Sequence, residues 1–443
     1  MKNIYLLSLG CPRNLVDSEV LRGLLDKKGF SLVDDPEGSD VAIVNTCGFI
    51  EDAKQESVDI ILRLAELKKE GKIGKLIVAG CLSQRYPFEL TKEIKEIDGV
   101  FGTADFVKIP DMISAIAAGE KIKEVSRSPD FMYDEKYERK FLTPAHYAYV
   151  KIQEGCSNRC SYCVIPELKG PRRSRTIESV LNEVKDLKTS HNVKEVILIG
   201  QDTTSFGIDR SGKPELAELL KKVSAVMGDS WVRLLYTHPA HFTDELIETI
   251  ARADNVCKYI DLPIQHASDK ILRQMNRRSS KNEIKDLIGK IRGGIKDVTL
   301  RTSVIVGFPG ETDSDFKELV DFLKEIRFDK LGAFIYSPEE GTEAVKFDGQ
   351  VPEEIKKARF DEIMKLQQEI SLENNLKYTG KALKIIVDDK DEEDPEQFIG
   401  RTQMDAPEVD GVIYLRGKNI SVGEFVDVKV TGSMEYDLIG ESL

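Results

Sequence analysis

The chain has 443 residues, too many for one ordinary hydrophobic core, and its 41 % hydrophobic content is enough to fill the two or three domains that this length predicts. Its formal net charge of −13 argues against a general affinity for nucleic acid or anionic membranes, and favours a basic partner or a small ligand. No apolar run approaches the roughly 18 residues of a membrane span, and the run near the start is shorter than the ~7 to 15 residues of a signal-peptide core, so we expect a cytoplasmic protein.

The first part of the chain contains three apolar runs typical of buried strands, at 4–9, 41–46 and 75–80, with helical patterns between them. This βαβαβ order predicts a parallel sheet with helices on its faces. The three runs are followed by Cys11, Cys47 and Cys81, here called the strand-end cysteines. Because ligands of an open α/β sheet bind beyond the carboxyl ends of its strands, we expect these three thiols to converge.

The middle of the chain predicts a second α/β unit. Residues 123–145 lose periodicity and gain charge and proline, which indicates a linker. Six strand-like runs separated by helical patterns then predict a partial barrel whose active site lies at the carboxyl ends of the strands. The runs are 147–152, 195–200, 231–236, 258–263, 299–308 and 331–337.

The end of the chain changes to short strands and turns, which predicts a small antiparallel β-barrel of the oligonucleotide-binding type. From 379 to 443 it carries seven Lys and Arg against fifteen Asp and Glu, with the densest acidic run at 388–396. An RNA-binding barrel needs a positive groove, so the charge disfavours RNA and favours docking of a basic protein at this run. The alternative to a docking site is that these acidic residues serve only the solubility of the protein. The predicted divisions are 1–122, 123–145 (linker), 146–375 and 376–443.

Three further cysteines crowd the loop after the first barrel run. Cys156, Cys160 and Cys163 form a CxxxCxxC motif, and we call them the loop cysteines. In a large chain without secretion signals, cysteines favour metal binding or catalysis over disulfides. Zinc commonly needs four ligands, whereas three thiolates on a 4Fe-4S cluster leave one iron open to a substrate or cofactor. A zinc knuckle or buried thiols remain the alternative for this motif, as do buried thiols for the strand-end cysteines, and Cys257 is predicted to lie in the core.

The CxxxCxxC motif with an aromatic residue, Tyr162, before its last cysteine resembles the signature of radical S-adenosylmethionine (SAM) enzymes. With a cysteine-bearing domain before it and a small β-domain after it, the whole chain resembles the methylthiotransferases. Segments 10–19, 45–50, 155–166 and 170–175 are similar to the RimO branch, which modifies the β-carbon of an aspartate in ribosomal protein S twelve. The tRNA-modifying MiaB branch usually has glutamine and methionine in place of Pro12 and Arg13.

The resemblance implies two 4Fe-4S clusters. The loop cysteines would hold the radical cluster, whose open iron binds SAM, and the strand-end cysteines would hold an auxiliary cluster that carries the sulfur. SAM would be both radical source and methyl donor. The implied partners are a basic ribosomal protein, an electron donor such as a flavodoxin or ferredoxin, and a sulfur source. The implied C-terminal domain is TRAM-like, and the implied SAM contacts are Tyr162, Gly200, Gln201, Asp202, Gly307, Phe308 and Pro309.

The basic loop 169–175 follows the loop cysteines. We expect Arg172, Arg173 or Arg175 to clamp a carboxylate of SAM or of a substrate aspartate, unless the loop is only a solvated face. His146, His238 and His266 lack ligand-like spacing, so no metal is predicted at them. The competing functions are a tRNA methylthiotransferase and a non-catalytic iron-sulfur scaffold or electron carrier, which would need no SAM-binding loops.

Overall fold

A computed structural model describes residues 2–394 and 396–443. The strands are β1 (Asn3–Ser8), β2 (Ser31–Val33), β3 (Val41–Thr46), β4 (Lys75–Gly80), β5 (Ile97–Phe101), β6 (Ile122–Glu124), β7 (Tyr147–Lys151), β8 (Gln153–Glu154), β9 (Arg173–Ser174), β10 (Glu195–Ile199), β11 (Trp231–Leu234), β12 (Tyr259–Asp261), β13 (Thr299–Val306), β14 (Lys330–Ile335), β15 (Ala382–Lys390), β16 (Gln397–Thr402), β17 (Ile413–Arg416), β18 (Phe425–Ser433) and β19 (Leu438–Ser442).

The helices are α1 (Pro12–Lys27), α2 (Glu51–Lys69), α3 (Cys81–Arg85), α4 (Pro87–Glu93), α5 (Ile109–Ala117), α6 (Ile165–Lys169), α7 (Ile177–Thr189), α8 (Ile208–Ser211), α9 (Leu216–Met227), α10 (Asp244–Arg252), α11 (Asp269–Gln274), α12 (Lys281–Gly294), α13 (Asp313–Ile326) and α14 (Glu353–Leu376). None of the helices within residues 2–394 and 396–443 combines the length and apolarity that a membrane crossing requires.

The first unit is a parallel six-stranded sheet in the order β2-β1-β3-β4-β5-β6. Strand β3 is buried along its whole length and β4 along nearly all of it, as expected for strands covered on both faces by helices. The sequence predicted β1, β3 and β4 but missed the other three. Strands β2 and β6 have only three residues each, and β5 contains Asp98 and Gly99, so none of them shows a long apolar run.

The second unit is the predicted partial barrel. Strands β7, β10 and β11 form one parallel sheet and β12, β13 and β14 another, so all six predicted strands are present. A single parallel bridge between Val232 and Val256 joins the two sheets. The main hydrophobic core fills the space between these strands and the helices outside them. The predicted α/β class and barrel architecture are therefore confirmed.

The segment between the two units is packed rather than free. Residues 125–146, all of them described, contain no helix or strand, yet Tyr133 and Arg139 are buried. The Arg139 guanidinium pairs with Glu19 of α1 and Glu183 of α7. This segment therefore ties the first helix of the sheet unit to the first long helix of the barrel.

The third unit is a closed barrel in the order β15-β16-β17-β19-β18. The sequence predicted a small β-barrel but only four of its strands. Strand β19 closes the barrel by pairing parallel with β17 and antiparallel with β18. It was missed because only Leu438 and Ile439 are strongly apolar before Gly440 interrupts the run.

This C-terminal barrel covers the amino end of the partial barrel. It contacts the first residue of five of the six barrel strands, whereas the loop cysteines follow the carboxyl end of β7. In an α/β barrel the carboxyl end carries the chemistry and the amino end serves stability. The contacts are Tyr147 with Glu408, Glu195 with Arg401, Trp231 with Phe425, Tyr259 with Asp410, and Lys330 with Asp405.

The acidic run 388–396 lies on this C-terminal barrel and is partly structural. The Asp388 carboxylate accepts hydrogen bonds from Arg401 and lies 2.7 Å from His146 Nε2. Asp389, Glu392 and Glu393 are exposed, and Pro395 lies outside the described residues. A protein docked on this run would sit at the end of the barrel opposite to the cysteines.

Replacing Arg401 by Met tests this interface. Its buried guanidinium serves both Glu195 and Asp388, so its loss leaves Glu195 with Arg233 alone and Asp388 with His146 alone, and we expect unfolding to become easier by about 3 kcal/mol. The measurement is urea unfolding followed by the fluorescence of Trp231, the single tryptophan, which packs on Phe425. Arg416→Met, which removes an exposed pair with Asp394, should change stability by less than about 1 kcal/mol. Equal effects of the two substitutions would contradict the role of Arg401.

Candidate active site

The structure brings the strand-end cysteines together at one edge of the first sheet. They follow β1, β3 and β4, which are neighbours in the sheet order. Gly10, which has a φ of +86°, permits the close approach: a Cβ at this position would lie 2.7 Å from the Cβ of Cys47. A Cβ on Gly48 would likewise lie 2.9 Å from the carbonyl carbon of Cys81. Glycine at both positions therefore lets the three thiol-bearing turns pack against each other.

The loop cysteines lie beyond β7 and β8, at the carboxyl end of the barrel. The amide of Cys156 donates to the carbonyl of Gly170, and the amide of Cys163 donates to the carbonyl of Cys160. All three thiols are free and partly buried. Burial raises the pKa of Cys156 to about 11 and that of Cys163 to about 12. Without a metal these thiols therefore stay protonated, and ligation of a metal would release their protons.

The two sets of cysteines lie on either side of the contact between the two units. The Cys81 side chain packs against Val164 and Leu168, in the turn and short helix that follow Cys163. The Thr103 hydroxyl, from the first unit, donates to the carbonyl of Leu168 at 2.6 Å. The sheet unit therefore stands over the mouth of the barrel with its thiol edge toward the loop cysteines.

A buried set of charges fixes this contact, and we call it the interface lock: Asp17, Lys151, Glu154 and Lys169. All four are at most 5 % exposed. Asp17 of α1 binds both lysines across the two units, and Lys151 also donates to Glu154 at 2.6 Å. Burial opposes the charge of Lys169, but Asp17 and Glu154 raise its pKa overall. Burial likewise opposes the charge of Glu154, but Lys151 and Lys169 lower its pKa overall.

The segment after β10, which the resemblance assigned to SAM binding, is hydrogen-bonded both to the interface lock and to the loop that carries the cysteines. The Gln201 side chain donates to Glu154 of the interface lock. Asp202 is buried and accepts a 2.8 Å hydrogen bond from the Asn158 amide, between two loop cysteines. The His241 ring Nδ1 lies 2.7 Å from the Asp202 carboxylate. Nearby, burial and the charge of Arg277 lower the pKa of His238 to about 3, so its imidazole is neutral near pH 7.

The segment after β13 reaches the same mouth. The amides of Gly307 and Phe308 both donate to the Glu311 carboxylate, at 2.8 and 3.2 Å, which fixes this turn. Phe308 is buried in an apolar cluster that also contacts Tyr162 of the cysteine motif. Two of the segments assigned to SAM binding therefore share one apolar wall, and Pro309 continues the same turn.

The three arginines of the basic loop have different surroundings. The Arg175 guanidinium is buried, pairs with Glu183 and stacks over Tyr133, so it serves the packing of α7. Arg173 donates to the carbonyls of Pro171 and Lys169. Arg172 lies 3.8 Å from Asp209, and its charge acts against the rise that burial causes in the pKa of Cys156.

Sequence reasoning missed four side chains that the fold places at this site: Arg13, Asp17, Tyr236 and His241. Arg13 and Asp17 follow Cys11 by two and six residues; this proximity was the only signal for Asp17, whereas Arg13 also stands at a position that differs between the RimO and MiaB branches. Cys257, predicted to be core, is 1 % exposed within a hydrophobic cluster. In the part of the chain that the structure describes, no group of three or more His, Cys, Asp or Glu side chains is arranged to hold a single metal ion.

Comparison with known families matches the chain in three places. The model of the radical SAM superfamily matches residues 150–323, that of the uncharacterized protein family UPF0004 matches residues 3–102, and that of the TRAM domain matches residues 379–443.

Full-length relatives are also found. A ribosomal protein uS12 methylthiotransferase RimO from Clostridioides difficile (strain 630) is 48 % identical over 100 % of this chain and 99 % of its own length. The protein of the same name from Pelotomaculum thermopropionicum is 47 % identical over 99 % of each chain. Among solved structures, the radical SAM methyltransferase TsrM from Kitasatospora setae aligns with a TM-score of 0.56 at 15 % identity, over 75 % of this chain and 73 % of that chain. The last similarity concerns the fold alone.

Replacing Asp17 by Asn tests the interface lock. The substitution leaves Lys151 and Lys169 with one carboxylate between them, so we expect the two units to separate more often. Hydrogen–deuterium exchange should then rise in α1 and α6 relative to the parent protein. The control is Asp26→Asn on the same helix, whose exposed pair with Lys140 contributes little. Unchanged exchange in α6 would show that the lock does not hold the units together.

Proposed function

Because this chain belongs to the family of ribosomal protein uS12 methylthiotransferases named RimO, we propose that it inserts sulfur and a methyl group at the β-carbon of an aspartate in that protein. The observation that carries the proposal is the contact of Cys81 with Val164 and Leu168, which supports two adjacent sets of three thiols. An enzyme that activates a carbon at one centre and delivers sulfur from another needs the two centres adjacent.

The donor sets fit two iron-sulfur clusters. Each set supplies three free thiols, and thiolates are the usual protein ligands of such clusters. Three ligands leave one iron of each cluster open, for SAM at the loop cysteines and for sulfur at the strand-end cysteines. A structural zinc site would take a fourth ligand, but Cys257 is buried elsewhere, in the barrel beside Arg233 and Glu195.

When bound, SAM and the two clusters supply hydrogen-atom abstraction, sulfur and a methyl group, chemistry that no acid or base of the chain can perform on an unactivated carbon. The residues of the chain position these groups. We assign Gly200, Gln201, Asp202, Gly307, Phe308 and Pro309, with Tyr162, to the binding of SAM. Asn158 ties the cysteine loop to Asp202, so the loop and the end of β10 are held as one surface.

The walls of the site keep water away from reactive groups. Tyr162 and Phe308 contribute to one apolar cluster, and Val164 and Leu168 cover Cys81 from the side of the barrel. Exclusion of water protects a reactive carbon centre from side reactions. Of the arginines predicted from the basic loop, Arg172 stays nearest to the loop cysteines, and we assign Arg175 to packing against Glu183.

A tRNA substrate is the alternative. It is disfavoured because the C-terminal barrel is acidic and covers the amino end of the partial barrel, away from the cysteines. We further propose that a flavodoxin or ferredoxin delivers the electron, that a separate donor restores the sulfur, and that the reaction takes place in the cytoplasm with the ribosomal substrate.

Mass spectrometry of ribosomal protein uS12 and of tRNA, from cells with and without this gene, tests the function. We expect uS12 to lose the mass of one methylthio group when the gene is absent, while the tRNA modifications stay unchanged. Loss of a methylthio group from tRNA with uS12 unaffected would reject the proposal in favour of the alternative.

Substitution of the two cysteine sets tests their division of labour. The anaerobically reconstituted parent should contain about eight irons per chain, because each set of three cysteines should hold about four. Changing Cys156 to Ala should abolish SAM cleavage, whereas Cys81→Ala should spare SAM cleavage and stop methylthio transfer. Equal loss of both activities in the two variants would show that the assignment of the clusters is wrong.

A further inference from the structure

Arg13 is partly buried and has no carboxylate partner among the described residues. Several other buried or partly buried arginines each pair with at least one carboxylate, namely Arg233, Arg301, Arg359 and Arg401. No carboxylate of the described residues lies within the 4.0 Å of Arg13 that an ion pair requires. A partly buried guanidinium that lacks a carboxylate is costly unless an anion complements it. The structure therefore leaves Arg13 available to an anionic ligand, as it does Arg277, whose donors go to Cys160 and to the carbonyl of Pro263.

The Arg13 side chain is held in place by neutral groups. It stands in the first turn of α1, directly after Cys11, and its Nη1 donates to the carbonyl of Gly200 at 3.0 Å. Its guanidinium carbon lies 4.9 Å from the centre of the Tyr236 ring. One nitrogen is thus anchored to the barrel and the guanidinium also lies beside the Cys11 thiol, which still leaves donors of the planar group for a fork-like contact.

Tyr236, whose ring lies against the Arg13 guanidinium, has a strained backbone conformation. Its φ is +60°, a region that bulky side chains rarely adopt and that is typical of functional sites when the surroundings enforce it. The amide of Tyr236 donates to Asp261 at 2.9 Å, and its carbonyl accepts from Thr203. These bonds hold the ring beneath Arg13, where the negative face of the ring stabilises the cation.

Arg13 also spans the contact between the two units. It follows Cys11 by two residues, and its Nη1 reaches the carbonyl of Gly200, directly after β10 at the mouth of the barrel. A group that links the strand-end cysteines to the barrel mouth stands where a substrate carbon must meet both centres. Arg277, in contrast, lies 3.9 Å from the sulfur of Cys160 alone.

We propose that Arg13 binds the side-chain carboxylate of the substrate aspartate and thereby selects an acidic side chain. The inference rests on the proposed function and names the residue that recognises its substrate. A guanidinium binds a carboxylate through two parallel hydrogen bonds, which fix its plane as well as its position. Since the β-carbon is bonded directly to that carboxylate, the clamp would hold the reacting carbon beside Cys11, at the mouth of the barrel. A neutral side chain would leave the guanidinium without its partner and bind weakly.

The test compares Arg13→Met and Arg13→Lys with the parent holoenzyme. Anaerobic binding is measured with purified uS12 and with uS12 whose target aspartate is replaced by asparagine. We expect Arg13→Met to weaken binding of the aspartate form at least about thirtyfold and that of the asparagine form less than about threefold. Arg13→Lys should fall between, because an ammonium keeps the charge but loses the fork.

Arg22→Met is the matched control, since Arg22 stands on the same helix and donates to the carbonyl of Phe141. It should leave both affinities unchanged. Iron content and SAM cleavage without substrate are measured for every variant, and affinities are compared between samples with equal iron content. If, at equal iron content, the variant weakens both forms of uS12 alike or loses SAM cleavage, Arg13 serves a cluster or SAM and the carboxylate clamp is rejected. A parent enzyme that fails to modify uS12 would instead reject the proposed function.

Discussion

One buried carboxylate that binds two lysines joins the halves of the site, and the arrangement of all six cysteines depends on it. Asp17 lies in α1, which starts directly after Cys11, and Lys169 ends α6, which starts two residues after Cys163. Each thiol-bearing turn is therefore fixed through the helix that follows it. Buried charges lose several kcal/mol of hydration and are stable only when paired, so the interface lock forms only when the two units are docked. Its geometry then sets the separation of the two cysteine sets.

The partial barrel uses its two ends differently. Its carboxyl end is open to the sheet unit and holds the loop cysteines, while the first residues of its strands are paired with the C-terminal barrel. Ion pairs such as Glu195 with Arg401 close the amino end, where conserved chemistry is not expected in this fold. The acidic residues on the C-terminal barrel therefore influence how fast a basic protein approaches, and they do not touch the reacting groups.

The sequence was sufficient for the features that repeat locally. Long apolar runs predicted β3, β4 and the barrel strands, and cysteines at strand ends predicted where the thiols would gather. Short strands such as β2 and β19 carry too few apolar residues to be detected. The partner of Arg175 could not be predicted either, because burial and the position of Glu183 depend on the packing of α7. The same holds for Asp17, whose lysines lie more than 130 residues away in the chain.

Two electrostatic effects, one at the surface and one inside the site, favour an aspartate-bearing protein over RNA as the substrate. The net charge of −13 repels a polyanion before contact and attracts a basic ribosomal protein, an effect that weakens as salt is added. Inside the site, solvent is largely excluded and a single unpaired guanidinium has a stronger effect. A nucleobase is neutral and would leave Arg13 desolvated without compensation, whereas a carboxylate completes its hydrogen bonds. The surface thus selects the class of macromolecule, and the buried cation selects the side chain.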